Sequence, residues 1–505
     1  MEKFSHNYRA ALLLTVLILG GLFLTVSVLN KDTNTQSNAA SVNAVEPENG
    51  TLAGNVTVVD DSTASGGKYV RFGNNVSISP TPTLTPIPLR TFYVSPTGND
   101  SNPGTLAAPW RSFCKVTQTV RAGDMAIFQD GTYTTSQYCW LDDNARNGTA
   151  ANPIVLKAQN KHQAKLLFSG LPNEKIYITI DYVTIQDFEI TATAPGTTTL
   201  DKLVNCYGNT HCSMIGNLAH GVYEECFKAF DSSYLLIEGN TCYNVTHEGI
   251  DVLNSYEGVI RNNYIYDVGR IGILAKGGVR NYQVYNNLVQ SKTKYMDDSG
   301  IALGGVSGSS SVYDFSSNGH EAYNSVAWNN IILSDTPGNI NYGMRLMGSI
   351  TSAAVNNVVI GARTGLNIAM GGDPSNACGS GNGCVAWTAT SVNPTYKNNS
   401  ITDCTVAATR FNGLEAGSNV DYNLFNNCPT APTQAHGVTG DPLFVNRLTD
   451  WHLLPGSPAI GTGVVLSPFT TYTDANTPVS PAIDVSKDRE GKTRTAPWEI
   501  GVYDQ

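Results

Sequence analysis

Charged side chains are scarce in this sequence, only 14% of its 505 residues, yet those suited to chemistry crowd into one stretch. Glu224, Glu225, Lys228 and Asp231 come first, then His247, Glu248 and Asp251. Arg270 and Lys276 follow, then Asp297 and Asp298, then Arg345. One reaction that such a set can serve is β-elimination in a uronate polymer. It requires removal of a proton α to a carboxylate, neutralisation of that carboxylate, and a base. Acidic side chains can hold Ca²⁺, a hard cation that takes oxygen ligands. The cation, or an arginine, then stabilises the developing enolate. A lysine serves as base where nearby positive charge lowers its proton affinity, and Arg270, Arg345 or a bound Ca²⁺ can supply that charge.

Two other readings use the same residues. A metal-independent glycoside hydrolase needs paired carboxylates flanking one bond, and Glu248/Asp251 with Asp297/Asp298 would serve. A non-catalytic glycan-binding surface protein or adhesin needs aromatic rings on outer faces, for which Tyr256, Tyr264, Tyr266, Tyr282, Tyr285 and Trp328 are available. The bland readings stand beside these: a solvated Asp251–Lys276 pair, an exposed His247, a loop turn capped by Asp297-Asp298, and a plain turn at Lys276-Gly277-Gly278. No phosphate-binding loop, dinucleotide fingerprint, zinc helix motif or nucleophile elbow occurs.

What gathers distant charges is a repeat. An apolar-x-Asn-Asn-x-apolar pattern recurs at Asn263, Asn287, Asn330, Asn357, Asn399 and Asn423, with earlier copies at Asn217, Asn240 and Asp187. The steps are 30, 23, 23, 24, 43, 27, 42 and 24, so two turns carry insertions of about 20 residues. A second motif keeps register with the first: EGIDVLN from Glu248, IGILAKG from Ile271, SGIALGG from Ser299, YGMRLMG from Tyr342 and TGLNIAM from Thr364. Alternation places Ile250, Ile273, Ile301, Met344 and Leu366 inward, and Asp251, Leu274, Ala302, Arg345 and Asn367 outward. Coils of this length, each unable to bury its apolar face alone, predict an all-β fold, a right-handed parallel β-helix. Asn at one turn position tolerates left-handed backbone angles, and its amide can bond to the Asn above and below. With coils about 4.8 Å apart, the Cα atoms of Asp251 and Lys276 would lie about 8 Å apart.

The segment Phe92 to Tyr133 resembles the opening block of the pectate-lyase-like superfamily of right-handed β-helices, nearest in look to polysaccharide lyase family nine. Within it, residues 112–121 would form a short helix capping the open end of the coil. GDPLFVNRLTDWHLLPGSPAIGTG and IDVSKDREGKTRTAPWEIGVYD resemble the terminal segment of such proteins. The resemblance implies a β-helix over residues 90–440, with 441–505 completing or capping it. It also implies an acid cluster holding Ca²⁺ that includes Asp251 and Glu248, with Lys276 as base. Where the family has a denser run of Asp, this sequence reads Glu-Gly-Ile-Asp, so the remaining ligands would come from Glu225, Asp231, Asp297 or Asp298.

Composition sets the surroundings. A net charge of −10 without basic runs excludes nucleic acid as partner. The 48 Asn and 48 Gly favour strands and tight turns. Ten Cys fall as near neighbours, Cys114/Cys139, Cys206/Cys212, Cys226/Cys242, Cys378/Cys384 and Cys404/Cys428, without CxxC spacing. Disulfides in an oxidising compartment are expected. Residues 11–29 are apolar with Lys3 and Arg9 before them, long enough to span a bilayer. Residues 1–30 are therefore read as a cytoplasmic tip and membrane anchor, favoured over a cleaved signal; either puts the body at the cell surface or in the medium. Residues 31–79 form a spacer that in part resembles the opening strands of family-six-like carbohydrate-binding modules, and 80–89 a stiff Pro/Thr linker. The expected partners are the membrane, through the anchor, and an extracellular polysaccharide bound by a monomer.

Overall fold

The computed structural model describes residues 56–60, 68–72, 90–193, 201–307, 319–371, 388–412, 417–474, 477 and 479–504. The expected anchor, the Pro/Thr linker and the Cys378/Cys384 pair lie outside these. No described helix is long and apolar enough to cross a membrane. Two units are present, residues 1–85 and 86–505. In the first, strand Val56–Asp60 pairs antiparallel with strand Lys68–Phe72.

The second unit is a parallel β-helix. Its coils contribute in turn to three long sheets of twelve, twelve and nine strands among the described residues. One 23-residue coil runs through strands Leu236–Glu238, Thr241–Val245 and Ile250–Leu253, and the next repeats them at Val259–Arg261, Tyr264–Val268 and Ile273–Lys276. The inward row is as expected: Ile250 lies beside Ile273, Ile273 beside Ile301, then Met344 and Leu366. All five are buried in the core. The glycine ahead of each strand permits close stacking: a Cβ on Gly272 would lie 2.5 Å from the Gly300 carbonyl oxygen.

The asparagines form one continuous internal ladder. Asn217, Asn240, Asn263, Asn287, Asn330, Asn357, Asn399 and Asn423 follow one another. In each step the side-chain oxygen of one Asn accepts from both the backbone N–H and the amide of the one before, as Asn287 does from Asn263 at 3.0 and 2.9 Å. Two expectations need correction. Asp187 is not the next rung; the backbone N–H of Phe188 donates to Asn217 there, one residue later. Nor does one Asn play both parts. The left-handed residue is the first of each pair, at Asn262, Asn286, Asn329, Asn356 and Asn398, while the ladder is built from the second.

At the N-terminal end, helix Phe113–Thr117 closes the coil, shorter than the expected segment. Ser112 caps it, accepting from the Lys115 N–H, and Phe113 packs against Phe128 and Phe168. At the other end, strand Val438–Thr439 is the last in a long sheet. Beyond it come the described residues of 441–504. They run back along the outside of the β-helix. Ile483, Val485 and Trp498 cover Val326, Trp328, Ala353 and Val355, and Trp451 and Val502 cover Ile331, Leu333, Val358 and Ile360. The left-handed asparagines hold this strap: Asn286 donates to the Arg489 carbonyl, Asn329 to Lys487 and Asn398 to Val464. Outward apolar residues on those coils dictate this course, since left bare they would keep a large apolar face in water. Four disulfides join Cys114–Cys139, Cys206–Cys212, Cys226–Cys242 and Cys404–Cys428.

Asn287→Ala would strand donors on Asn263 and the Ile260 carbonyl in a dry core. The expected loss is about 3 kcal/mol of stability, read as a lower urea midpoint. A midpoint within error of the parent would contradict the ladder's role.

Candidate active site

The nine-stranded sheet carries the charged residues on its outer face. Parallel pairing sets Tyr177, Asn205, Lys228, Asp251, Leu274, Ala302 and Arg345 in one row across successive coils. Two residues along the strands, Tyr207, Phe230, Leu253 and Lys276 form a parallel row. Lys276 thus lies one coil and two residues from Asp251, on the same face.

Ion pairs stitch the start of this face together. Lys202 reaches Glu224 at 2.7 Å and Glu225 at 3.7 Å; Lys228 reaches Glu225 at 3.4 Å and also pairs with Asp251. Arg270 pairs with Glu248 at 3.2 Å and lies 4.0 Å from Asp297. His247 stands at the edge, 3.5 Å from Glu224. All four carboxylates, Glu224, Glu225, Glu248 and Asp251, are buried. Burial, then repulsion from Asp251 and Glu225, pushes the Glu248 carboxyl up to about 7. Burial and the neighbouring Glu225 push Glu224 up to about 7 as well. Asp251 goes the other way: burial opposes its charge, but Lys228 and Lys276 hold it below the usual range. Burial also works against the Lys228 ammonium, yet Asp251 and Glu225 overcome it and hold it well above the ordinary lysine value. Lys228 is therefore a fixed structural cation.

Lys276 is differently placed. It has no hydrogen-bond or ion-pair partner among the described residues. It lines a small pocket with Arg270, Asp298 and Arg345, floored by Leu274 and Ala302. Arg345 pairs with Asp298 and donates to Asn367 at 2.9 Å. The stem of Lys276 rests against Gly305, where a Cβ would come within 3.0 Å of it. The turn after it, Gly277-Gly278, has positive φ angles of 68° and 86°, which favour glycine. Glu321 is fully buried behind this turn and accepts from the Gly277 N–H at 2.7 Å and the Ser307 N–H at 2.9 Å.

The structure thus brings Glu225, Glu248 and Asp251 together, and sets Arg270, Lys276, Asp298 and Arg345 around the adjoining pocket. Asp297 is tied in through Arg270. Asp231 stands apart, hydrogen-bonded by Asn254 at 2.5 Å and influenced by Arg280. Of the six aromatic residues expected on outer faces, three are engaged elsewhere: Tyr282 is in the core, and Trp328 stacks on Tyr285 beneath the C-terminal strap. The expected calcium site does not fit these residues as arranged. The Lys228 ammonium holds the place between Glu225 and Asp251 that a cation would take. Among the described residues no three Asp, Glu, His or Cys are arranged to hold a metal ion. Sequence reasoning missed Lys202 and Glu321. Lys202 could have been found by register, one coil before Glu225; Glu321 follows an insertion and carries no periodic signal.

A family model described as the Pel9A-like, right handed β-helix region matches residues 92–223, and one described as right handed β-helix region matches residues 202–377. The chain is thus similar to right-handed β-helix families over residues 92–377, in agreement with its parallel β-helix fold. Among solved structures, this β-helix is similar to pectate lyase Pel9A, at 14% identity over 82% of this chain and 96% of that one, with a TM-score of 0.45. It is similar to the GH136 lacto-N-biosidase from Eubacterium ramulus, at 13% identity over 70% and 67%, with a TM-score of 0.47. It is also similar to the alginate lyase from Paenibacillus sp. str. FPU-7, at 18% over 69% and 99%, with a TM-score of 0.42. No curated protein matches the chain.

The raised Glu248 carboxyl has a consequence for stability. Near pH 4 it is protonated whether the β-helix is folded or not, and folding carries no penalty from it. Between 4.5, its ordinary value, and about 7 the unfolded chain ionises it freely while the folded one resists, so the penalty builds across that range and is complete above it. Glu248→Gln should therefore raise the melting temperature by a few degrees at pH 8 and hardly at all at pH 4. An equal gain at both pH values would rule out this origin.

Proposed function

We propose that the protein is an extracellular polysaccharide lyase that cleaves an acidic glycan by β-elimination. The observation that carries this reading is the Lys276 amine, without a hydrogen-bond or ion-pair partner among the described residues, in a pocket it shares with Arg270 and Arg345 beside a buried carboxylate cluster. An apolar floor under two guanidinium groups suits a sugar ring bearing a carboxylate. Arg270 and Arg345 would hold that carboxylate and stabilise the charge that develops on it. Lys276 would take the α-proton. The electron pair then forms the new carbon–carbon double bond, the glycosidic bond at the β-carbon breaks, and the leaving oxygen takes a proton from solvent. Asp298 orients Arg345, and Glu248 orients Arg270. The four disulfides support an oxidising, extracellular setting.

A second reading rests on one observation. Glu248, part-protonated near neutral pH and beside an ionised Asp251, is the pattern of an acid and its partner carboxylate in glycoside hydrolysis.

Incubation of the full-length protein with polygalacturonate, alginate and glycosaminoglycans separates the readings. Ultraviolet absorbance from an unsaturated product is expected, and new reducing ends without it would mean hydrolysis. Lys276→Ala should abolish turnover with folding intact, and full activity in that variant would remove Lys276 from its role. Because Lys228 fills the carboxylate cluster, EDTA should leave the rate within a factor of two; its abolition by EDTA, restored by Ca²⁺, would show that the cluster rearranges to take the ion.

A further inference from the structure

A second feature of the same sheet face is not used by this chemistry. Five aromatic rings run along it from the N-terminal end: Tyr138, Trp140, Tyr177, Tyr207 and Phe230. Successive ring centroids are 5.1, 5.3, 5.8 and 5.3 Å apart. Backbone register fixes their alignment. Leu141 bridges Ile178, so Trp140 stands beside Tyr177. The row of Tyr177 passes through Asn205 to Lys228 and Asp251, and the row of Tyr207 and Phe230 passes through Leu253 to Lys276. The rings therefore lead straight into the charged groove. Unlike Tyr285 and Trp328, they lie under no other segment among the described residues that packs an apolar cluster on them. Tyr138 and Tyr207 are 39% and 40% exposed, a large area of aromatic surface left in water on a well-packed fold.

We propose that this aromatic row is a set of glycan-binding subsites on one side of the cleavage point, so that the protein grips an extended polysaccharide lying along the β-helix axis. The proposal deepens the lyase reading and rests on it for the location of the cleavage point. The occupant follows from two facts. Coils recur about every 4.8 Å along the axis, close to the advance of one pyranose unit in an extended glycan, so sugars and rings keep step over several coils. The apolar C–H faces of pyranoses pack on aromatic rings, while their hydroxyls stay in water. The row spans enough coils to hold several sugar units beyond the pocket. Short oligosaccharides, which cannot reach from the pocket to Trp140, would gain nothing from it.

The test is retardation of the full-length protein in native gels containing polygalacturonate or alginate, run beside the cleavage assay. Trp140→Ala and Tyr207→Ala should each weaken retardation about tenfold, the scale of one lost aromatic contact. Trp140→Phe should restore most of it, with melting temperatures showing that the variants are folded. In the cleavage assay the same alanine variants should raise KM for polymer and leave kcat for the polymer and KM for a disaccharide or trisaccharide unchanged. Unchanged retardation in both alanine variants, or a parent protein that no polymer retards, overturns the row as a binding site even if cleavage is observed. Retardation lost with the rings while no polymer is cut upholds the row and sinks the lyase reading instead.

Discussion

Parallel stacking of coils is the constraint from which the rest follows. It makes residues 23 positions apart immediate neighbours, and it converts a sequence period into a surface pattern. Polar groups that a solenoid cannot avoid burying at its turns must be paired along the same axis. The internal asparagine ladder does this, each amide satisfying the coil before it. A ladder of identical side chains also fixes register. A slip of one residue would turn Ile250 and its stack outward and bring Asp251 and Arg345 into the core. The site is therefore positioned by the same bonds that hold the coils together.

The fold was legible because its signal is periodic. Asn pairs at steps near 24, and Gly-led alternating segments in phase with them, specify coil length, inward residues and outward residues at once. Asp187 was misassigned because the first rung is supplied by a backbone N–H, which leaves no mark in side-chain identity. The split between left-handed and ladder asparagines was hidden because both members of each pair are the same residue. The strap over the outer sheets was hidden for another reason. Val326, Ile331 and their neighbours read as apolar on both faces of a strand, and a sequence does not say which distant segment covers the second face.

The site was legible only in part. Register arithmetic placed Asp251, Glu248 and Lys276 on one face, and the structure agrees. It could not tell which cation meets which carboxylate, since that depends on side-chain reach rather than backbone position. Asp231 sits just past its strand, at a left-handed turn with φ of 51°, which carries it away from the cluster toward Asn254. Glu321 follows an inserted segment and enters the site from outside the repeat, so no period announces it. Its carboxylate organises the backbone on both sides of the Lys276 pocket, at Gly277 and at Ser307.

The two lysines of the face show how position alone assigns different work to one residue type. Lys228 lies one coil before Asp251 and directly in register with it, so its ammonium is enclosed by Asp251 and Glu225. Giving up its proton would leave those buried carboxylates without their counter-charge, which raises its proton affinity and removes it as a base. Lys276 is one coil after Asp251 and two residues further along the strand, beyond reach of a direct ion pair but within the field of Asp251 and Glu248. It shares its pocket with Arg270, Arg345 and Asp298. A shift of two coils and two residues thus sets two lysines of one face in different surroundings.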